Sequence, residues 1–240
     1  MTAPQLSVAG DTQIGNRYPA NYDVLAVDGP PADRTVLVVA DGMGSGRGSA
    51  FAGRTTVDTF REVTRTGVPS ADLLRAAVAE CQRRVIDGGR AWPELTGCTL
   101  TALVVDGAQA WITQVGDSRC YRWRDGLLEQ LTVDHTEAWL GAVNGWWPHD
   151  SRQAQTARYH LLRYVGHPDA PEPDVLNVAL RPGDVLCLCT DGIGEEVSYR
   201  KLAQVLGSGA TPAEMCSQLL AEALATGGND NATAAILKVS

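Results

Sequence analysis

Apolar runs of strand length recur along this chain. They read DVLAV (23–27), TVLVVA (35–40), TLTALVV (99–105), AWITQV (110–115), RCYRW (119–123), VLCLCT (185–190) and ATAAILKV (232–239). A membrane-crossing helix requires about 20 apolar residues, so no membrane partner is expected. Tight turns such as Asp106-Gly107 join neighbouring runs, and strands joined that closely pair antiparallel. Two stretches, 48–67 and 70–89, carry the helical period instead, the second opening on Ser70 and closing at Gly88-Gly89. Two further helices are expected at 195–207 and 211–228, the latter with Pro212 behind Thr211. Strands in runs and helices in pairs give an α+β fold in which helices cover the sheet faces. No repeat, linker or low-complexity segment interrupts the chain, so residues 1–240 are expected to form a single domain.

Charge and cysteine usage narrow the function classes. The net charge is −8, and no basic patch is interleaved with aromatics, which argues against nucleic acid as the main partner. The N-terminal MTAPQLSVAGDTQIG has no basic segment leading into a long apolar one, so no signal peptide is expected. Cys81, Cys98, Cys120, Cys187, Cys189 and Cys216 are scattered without a CxxC pair. They read as buried free thiols, which places the protein in the cytoplasm.

A set of aspartates stands where apolar runs meet loops. Asp41 follows TVLVVA, Asp117 follows WITQVG, Asp191 follows VLCLCT, Asp230 precedes the last run and Asp23 opens the first. Any one Asp-Gly pair is most simply a turn. Several carboxylates fixed by a sheet and converging on one cleft repel one another unless cations hold them together, and hard oxygen ligands suit Mg²⁺ or Mn²⁺. Two such ions about 4 Å apart generate a hydroxide at neutral pH and clamp both oxygens of a displacement at phosphorus. Gly42, lacking a Cβ, lets its carbonyl approach a metal.

The words around these aspartates carry a resemblance. VVADGMGSG, GCTLTALVV, VGDSRCYRWRDGLLEQLTVDHT, LCLCTDGI and GGNDNATAAIL follow the order found in bacterial type 2C metal-dependent serine/threonine protein phosphatases, and the similarity runs from about Gly15 to the C-terminus. The resemblance implies a four-layer α-β-β-α sandwich, with two antiparallel sheets flanked by helical pairs. It implies two Mn²⁺ or Mg²⁺ ions, bridged by Asp41 and touched by the Gly42 carbonyl. Asp191 and Asp230 would ligate one ion and Asp23 the other, directly or through water. Asp117 would hold a third, weaker ion. Arg17 would grip the substrate phosphate, since a guanidinium fork matches phosphate oxygens.

The chain also departs from the family pattern. Three residues rather than two separate Arg17 from Asn21, and GSG replaces the usual Gly-Gly-His after Asp-Gly-Met, closer to relatives acting on anti-anti-sigma factors. Cys98 replaces a common threonine, His135 reads as a hydrogen-bonded turn residue, and Arg119 and Arg163 read as ion-pair partners. A variable flap is expected at about 137–160, holding Trp139, Trp146 and Trp147, either as a satellite hydrophobic cluster or as a docking surface. The expected activity is metal-dependent hydrolysis of phosphoserine and phosphothreonine in proteins, with Asp41, Asp191 and Asp230 as the catalytic set. The expected partner is a phosphoprotein substrate of a bacterial serine/threonine kinase. The competing readings are a pseudophosphatase that binds phosphoprotein, a phosphatase of an anti-anti-sigma-type regulator, and a phosphatase of small metabolites.

Overall fold

The computed structural model describes residues 5–30, 34–148 and 150–240. In chain order its elements are β1 (Leu6–Gln13), β2 (Val24–Asp28), β3 (Thr35–Ala40), α1 (Arg47–Thr64), α2 (Ala71–Gly89), β4 (Leu100–Asp106), β5 (Gln109–Val115), β6 (Arg119–Arg124) and β7 (Leu127–Gln130). There follow α3 (Glu137–Asn144), α4 (Arg152–Ala157), β8 (Asp174–Ala179), β9 (Val185–Cys189), α5 (Asp191–Gly194), α6 (Tyr199–Leu206), α7 (Pro212–Ala225) and β10 (Ala232–Val239). The strands pair antiparallel in two five-stranded sheets, ordered β1-β10-β9-β6-β7 and β2-β3-β4-β5-β8.

The apolar runs are continuous because the central strands are covered on both faces. Along β3, Val36, Val38 and Ala40 meet α1 and α2, while Leu37 and Val39 meet the other sheet. Along β9 the same alternation sends Val185, Cys187 and Cys189 toward α6 and α7, and Leu186 and Leu188 toward the inter-sheet core. The result is the four-layer sandwich that the resemblance implied. Each fully buried leucine or isoleucine, such as Leu103, Ile112 or Leu188, contributes roughly 1.5–3 kcal/mol. The outer helices start where their caps allow. Ser70 Oγ accepts from the Leu73 N–H at 3.2 Å, and Thr211 with Glu214 forms a reciprocal capping box around Pro212. All six cysteines are free and buried. Among the described residues no helix is long and apolar enough to cross a membrane.

Two regions differ from the sequence expectation. The helix expected over 195–207 begins only at Tyr199, as α6, because Ser198 caps it by accepting from the Lys201 N–H, and the short α5 precedes it. Three strands escaped the sequence reading. Of these, β1 is an edge strand without a continuous apolar run, β7 has only 4 residues, and β8 is half-buried. Residues 137–160 form an excursion whose ends meet at a bridge between Thr136 and Leu161, and their described part folds into α3 and α4. Within it Trp147 packs on α3 so closely that a Cβ on Gly141 would lie 2.5 Å from its ring, and Trp146 stacks edge-on against it at 5.5 Å. Those two tryptophans pack against each other, with Trp146 52% exposed, whereas Trp139 stands apart and 43% exposed.

Candidate metal centre

Sheet register brings the aspartates together. Val24 pairs with Ala40, so one step further along the same ladder sets Asp23 beside Asp41. Arg119 pairs with Cys189, and two steps further Asp117 comes opposite Asp191. Ala234 also pairs with Cys189, which places the start of β10, and Asp230 just before it, next to Asp191. Strand ends from both sheets therefore deliver carboxylates to one end of the sandwich. There Asp41, Gly42, Asp117, Asp191 and Asp230 line a continuous cleft with Arg17, Tyr18 and Tyr159. Asp23 lies buried behind the cleft, where its Oδ2 accepts from Thr190 Oγ1 at 2.8 Å and Thr233 Oγ1 at 2.6 Å.

Close backbone packing fixes the floor. A Cβ on Gly192 would overlap the Asn231 carbonyl oxygen, so the turn after Asp191 lies directly against the backbone that follows Asp230. At Gly42 a Cβ would sit 2.8 Å from the Tyr22 carbonyl and 2.9 Å from that of Ser49. Beneath Asp41 and Asp117 runs a buried polar network. The Asp41 N–H donates to Thr99 Oγ1 at 2.9 Å, Thr99 and Ser118 share a hydroxyl hydrogen bond of 2.7 Å, and the Ser118 carbonyl accepts from both Thr101 and Gln114. These residues hold the aspartate backbone, and the sequence reading passed over them as ordinary strand positions.

The electrostatics are those of like charges gathered out of water. Burial, more than any other cause, raises every one of these carboxyl groups. Asp23 is pushed up to about 7, although its two threonine hydrogen bonds oppose the rise. Asp191 is pushed up to about 6, with the Asp230 charge adding to burial. Asp41 and Asp117 lie well above the usual carboxylate range, burial being reinforced by Asp23 in one case and Asp191 in the other. Asp230 is raised by burial despite the backbone hydrogen bond from Asn231.

The donor set fits hard divalent cations. Oδ1 of Asp23 and Oδ1 of Asp191 are buried without any hydrogen-bond partner, the arrangement that a buried polar atom avoids unless something else completes it. Among the described residues no three acidic, histidine or cysteine side chains close around one point.

The neighbouring basic and histidine residues have structural partners. Arg119 bonds Asp134 at 2.7 Å and Glu195 at 2.6 Å, and Arg163 bonds Asp174 at 2.9 Å. His135 Nδ1 accepts from the Gly116 N–H at 3.1 Å while Nε2 faces Asp174 at 3.1 Å, and burial lowers its pKa, so it remains a neutral turn residue. Arg17 makes no ion pair among the described residues and lines the cleft near Asp230.

The chain is similar to known proteins in sequence and in fold. The family model described as protein phosphatase 2C matches residues 16–226. The serine/threonine phosphatase stp of Listeria monocytogenes is 28% identical over 86% of this chain and 85% of its own length. The structure of PppA, a regulatory component of the type VI secretion system of Pseudomonas aeruginosa, is 29% identical, with a TM-score of 0.86 and 99% of both chains covered. The catalytic domain of the serine/threonine protein phosphatase PstP in complex with two manganese ions is 27% identical, with a TM-score of 0.86 and 99% of both chains covered. With its two antiparallel sheets, its ordered aspartates and a match over most of its length, the chain belongs to the protein phosphatase 2C family.

Proposed function

We propose that this chain is a Mn²⁺- or Mg²⁺-dependent protein-serine/threonine phosphatase, built as one catalytic domain with residues 137–160 as its flap. The observation that carries this reading is the pair of buried, unpartnered carboxylate oxygens on Asp23 and Asp191 behind a cleft lined by Asp41, Asp117 and Asp230. Asp41, flanked by Asp23 and Asp191, would bridge two ions, with Gly42 offering its carbonyl. Asp191 and Asp230 would complete one site and Asp23 the other, while Asp117 would hold a weaker third ion. When bound, such ions activate water and neutralise charge developing on a phosphate ester.

The remaining residues bind and orient. Arg17, free of any carboxylate partner among the described residues, presents a guanidinium fork to two phosphate oxygens. Thr190 and Thr233 hold Asp23 in one rotamer, leaving Oδ1 aimed away from them. The Thr99–Ser118 bond ties the backbone at Asp41 to that beside Asp117, so the carboxylates approach with little freedom to reorganise. The substrate would be a protein phosphorylated by a bacterial serine/threonine kinase. The buried, unpaired cysteines support a reducing cytoplasm as the compartment.

Hydrolysis of phosphoserine and phosphothreonine peptides, followed by phosphate release, tests the reading. Activity should vanish with EDTA and return with Mn²⁺. A folded chain that binds Mn²⁺ yet releases no phosphate would instead be a binding protein with this fold.

A further inference from the structure

The metal cleft does not end at its aspartates. It opens into a second hollow of about 390 Å³ between the flap and the body, and the two share Asp134, Thr136, Arg158 and Glu195 along their common border. The flap side of this hollow is made by α3 and α4. Ala138, Ala142 and Ala154 are too small to fill it, and Trp139 stands at its edge.

Its charged residues are already satisfied by one another. Arg119 pairs with Asp134 and Glu195, and Arg158 pairs with Glu195 at 3.2 Å. Two arginines thus face two carboxylates in a closed network, which leaves no net charge to attract an ionic group. What remains without a partner is apolar: the Trp139 ring and the alanine floor, continued along α3 by Val143, 63% exposed one turn further on. A hollow of this size is ample for one apolar side chain, since an apolar cavity of about 150 Å³ in another protein accepts benzene. A half-exposed tryptophan beside a pocket is also the residue type most often found at energetic hot spots of interfaces.

Resting on the phosphatase reading above, we propose that this groove binds an apolar side chain of the phosphoprotein substrate, leucine- to phenylalanine-sized, lying two or three residues from the phosphorylated one. Extended chain covers about 7–10 Å over that separation, and the hollow shares its border with the cleft. The groove thereby selects among phosphoproteins, while the aspartates act on the phosphate alone.

Three phosphoserine peptides test the proposal with the Mn²⁺-loaded full chain. One carries leucines two and three residues before the phosphoserine, one carries them after it, and one has serines at all four positions. Wild type should show a KM about tenfold lower for one leucine peptide than for the serine peptide. Trp139→Ala should raise the KM on that leucine peptide to the serine-peptide value while sparing kcat. Ala142→Lys, a substitution at an exposed helical position that projects a charged chain into the groove, should do the same with an unchanged melting temperature. Equal KM values for all three peptides in wild type would overturn the groove and leave the phosphatase reading standing. So would a leucine preference that survives both variants. Failure of the folded, Mn²⁺-loaded wild type to hydrolyse any peptide would overturn both.

Discussion

Replacing Asp191 by Asn should make the metal-free protein more stable and the enzyme inactive. In the folded chain Asp191 is raised from 3.8 to about 6, because it is buried and lies beside Asp230. Below pH 3.8 the carboxyl is protonated in both folded and unfolded chains, and the shift is without effect. As pH rises from there through 6, the unfolded chain releases its proton first, and folding loses stability until the folded group ionises too. The gap between 3.8 and about 6, at about 1.4 kcal/mol per pH unit, corresponds to about 3 kcal/mol lost by pH 8. Asparagine never ionises, so it does not carry that loss. In EDTA at pH 8, Asp191→Asn should therefore melt about 6–12 °C above wild type, given about 2–4 °C per kcal/mol for a chain of this size. Saturating Mn²⁺ should reverse the order, since 1,000-fold excess over Kd adds about 4.1 kcal/mol to wild type, more than the gap above, and far less to a variant lacking a ligand. Thermal melts of both proteins from pH 4 to 8, with and without Mn²⁺, read all of this directly. A variant that melts below wild type in EDTA at pH 8 would refute the argument that uncompensated charge strains this cleft.

Gly192→Ala should destabilise by about 1–3 kcal/mol or more, because the new methyl meets the Asn231 backbone rather than a side chain that can turn aside. It should also weaken Mn²⁺ binding by separating Asp191 from Asp230, and wild-type affinity in a calorimetric titration would contradict that geometry. Arg17→Ala should raise the KM for phosphopeptides with a smaller change in kcat, as expected for a contact made equally in ground and transition states. Unchanged kinetics would mean that the longer spacing to Asn21 has carried the guanidinium out of reach.

The central strands were legible because burial on both faces writes a continuous apolar run, as in TVLVVA and VLCLC, and because Asp and Gly mark where each run ends. The edge strand β1, reading LSVAGDTQ, carries no such signal. Its place follows only from pairing along the whole of β10. The partition of strands between two sheets was likewise invisible to periodicity, which reports faces but not partners. At the site, aspartates at strand ends were readable one by one. Their convergence depends on register between strands as distant in sequence as β6 and β9. Thr190 and Thr233 were hidden for a different reason: a threonine in a strand is unremarkable until the fold turns its hydroxyl onto Asp23. Residues 137–160 stood out by their departure from the family pattern. Only packing distinguished Trp147, wedged on Gly141, from the exposed Trp139.

The central claim is that these strand-end carboxylates hold a pair of divalent ions, and Mn²⁺ stoichiometry measured by calorimetry on EDTA-stripped protein tests it most directly. Wild type should take up two ions tightly, with proton release in the pH range where Asp23 and Asp191 titrate, near 6 to 7. Asp41→Asn, which removes the residue placed between the two sites, should bind neither ion tightly while remaining folded. Two tight ions retained by Asp41→Asn with wild-type affinity would contradict the account.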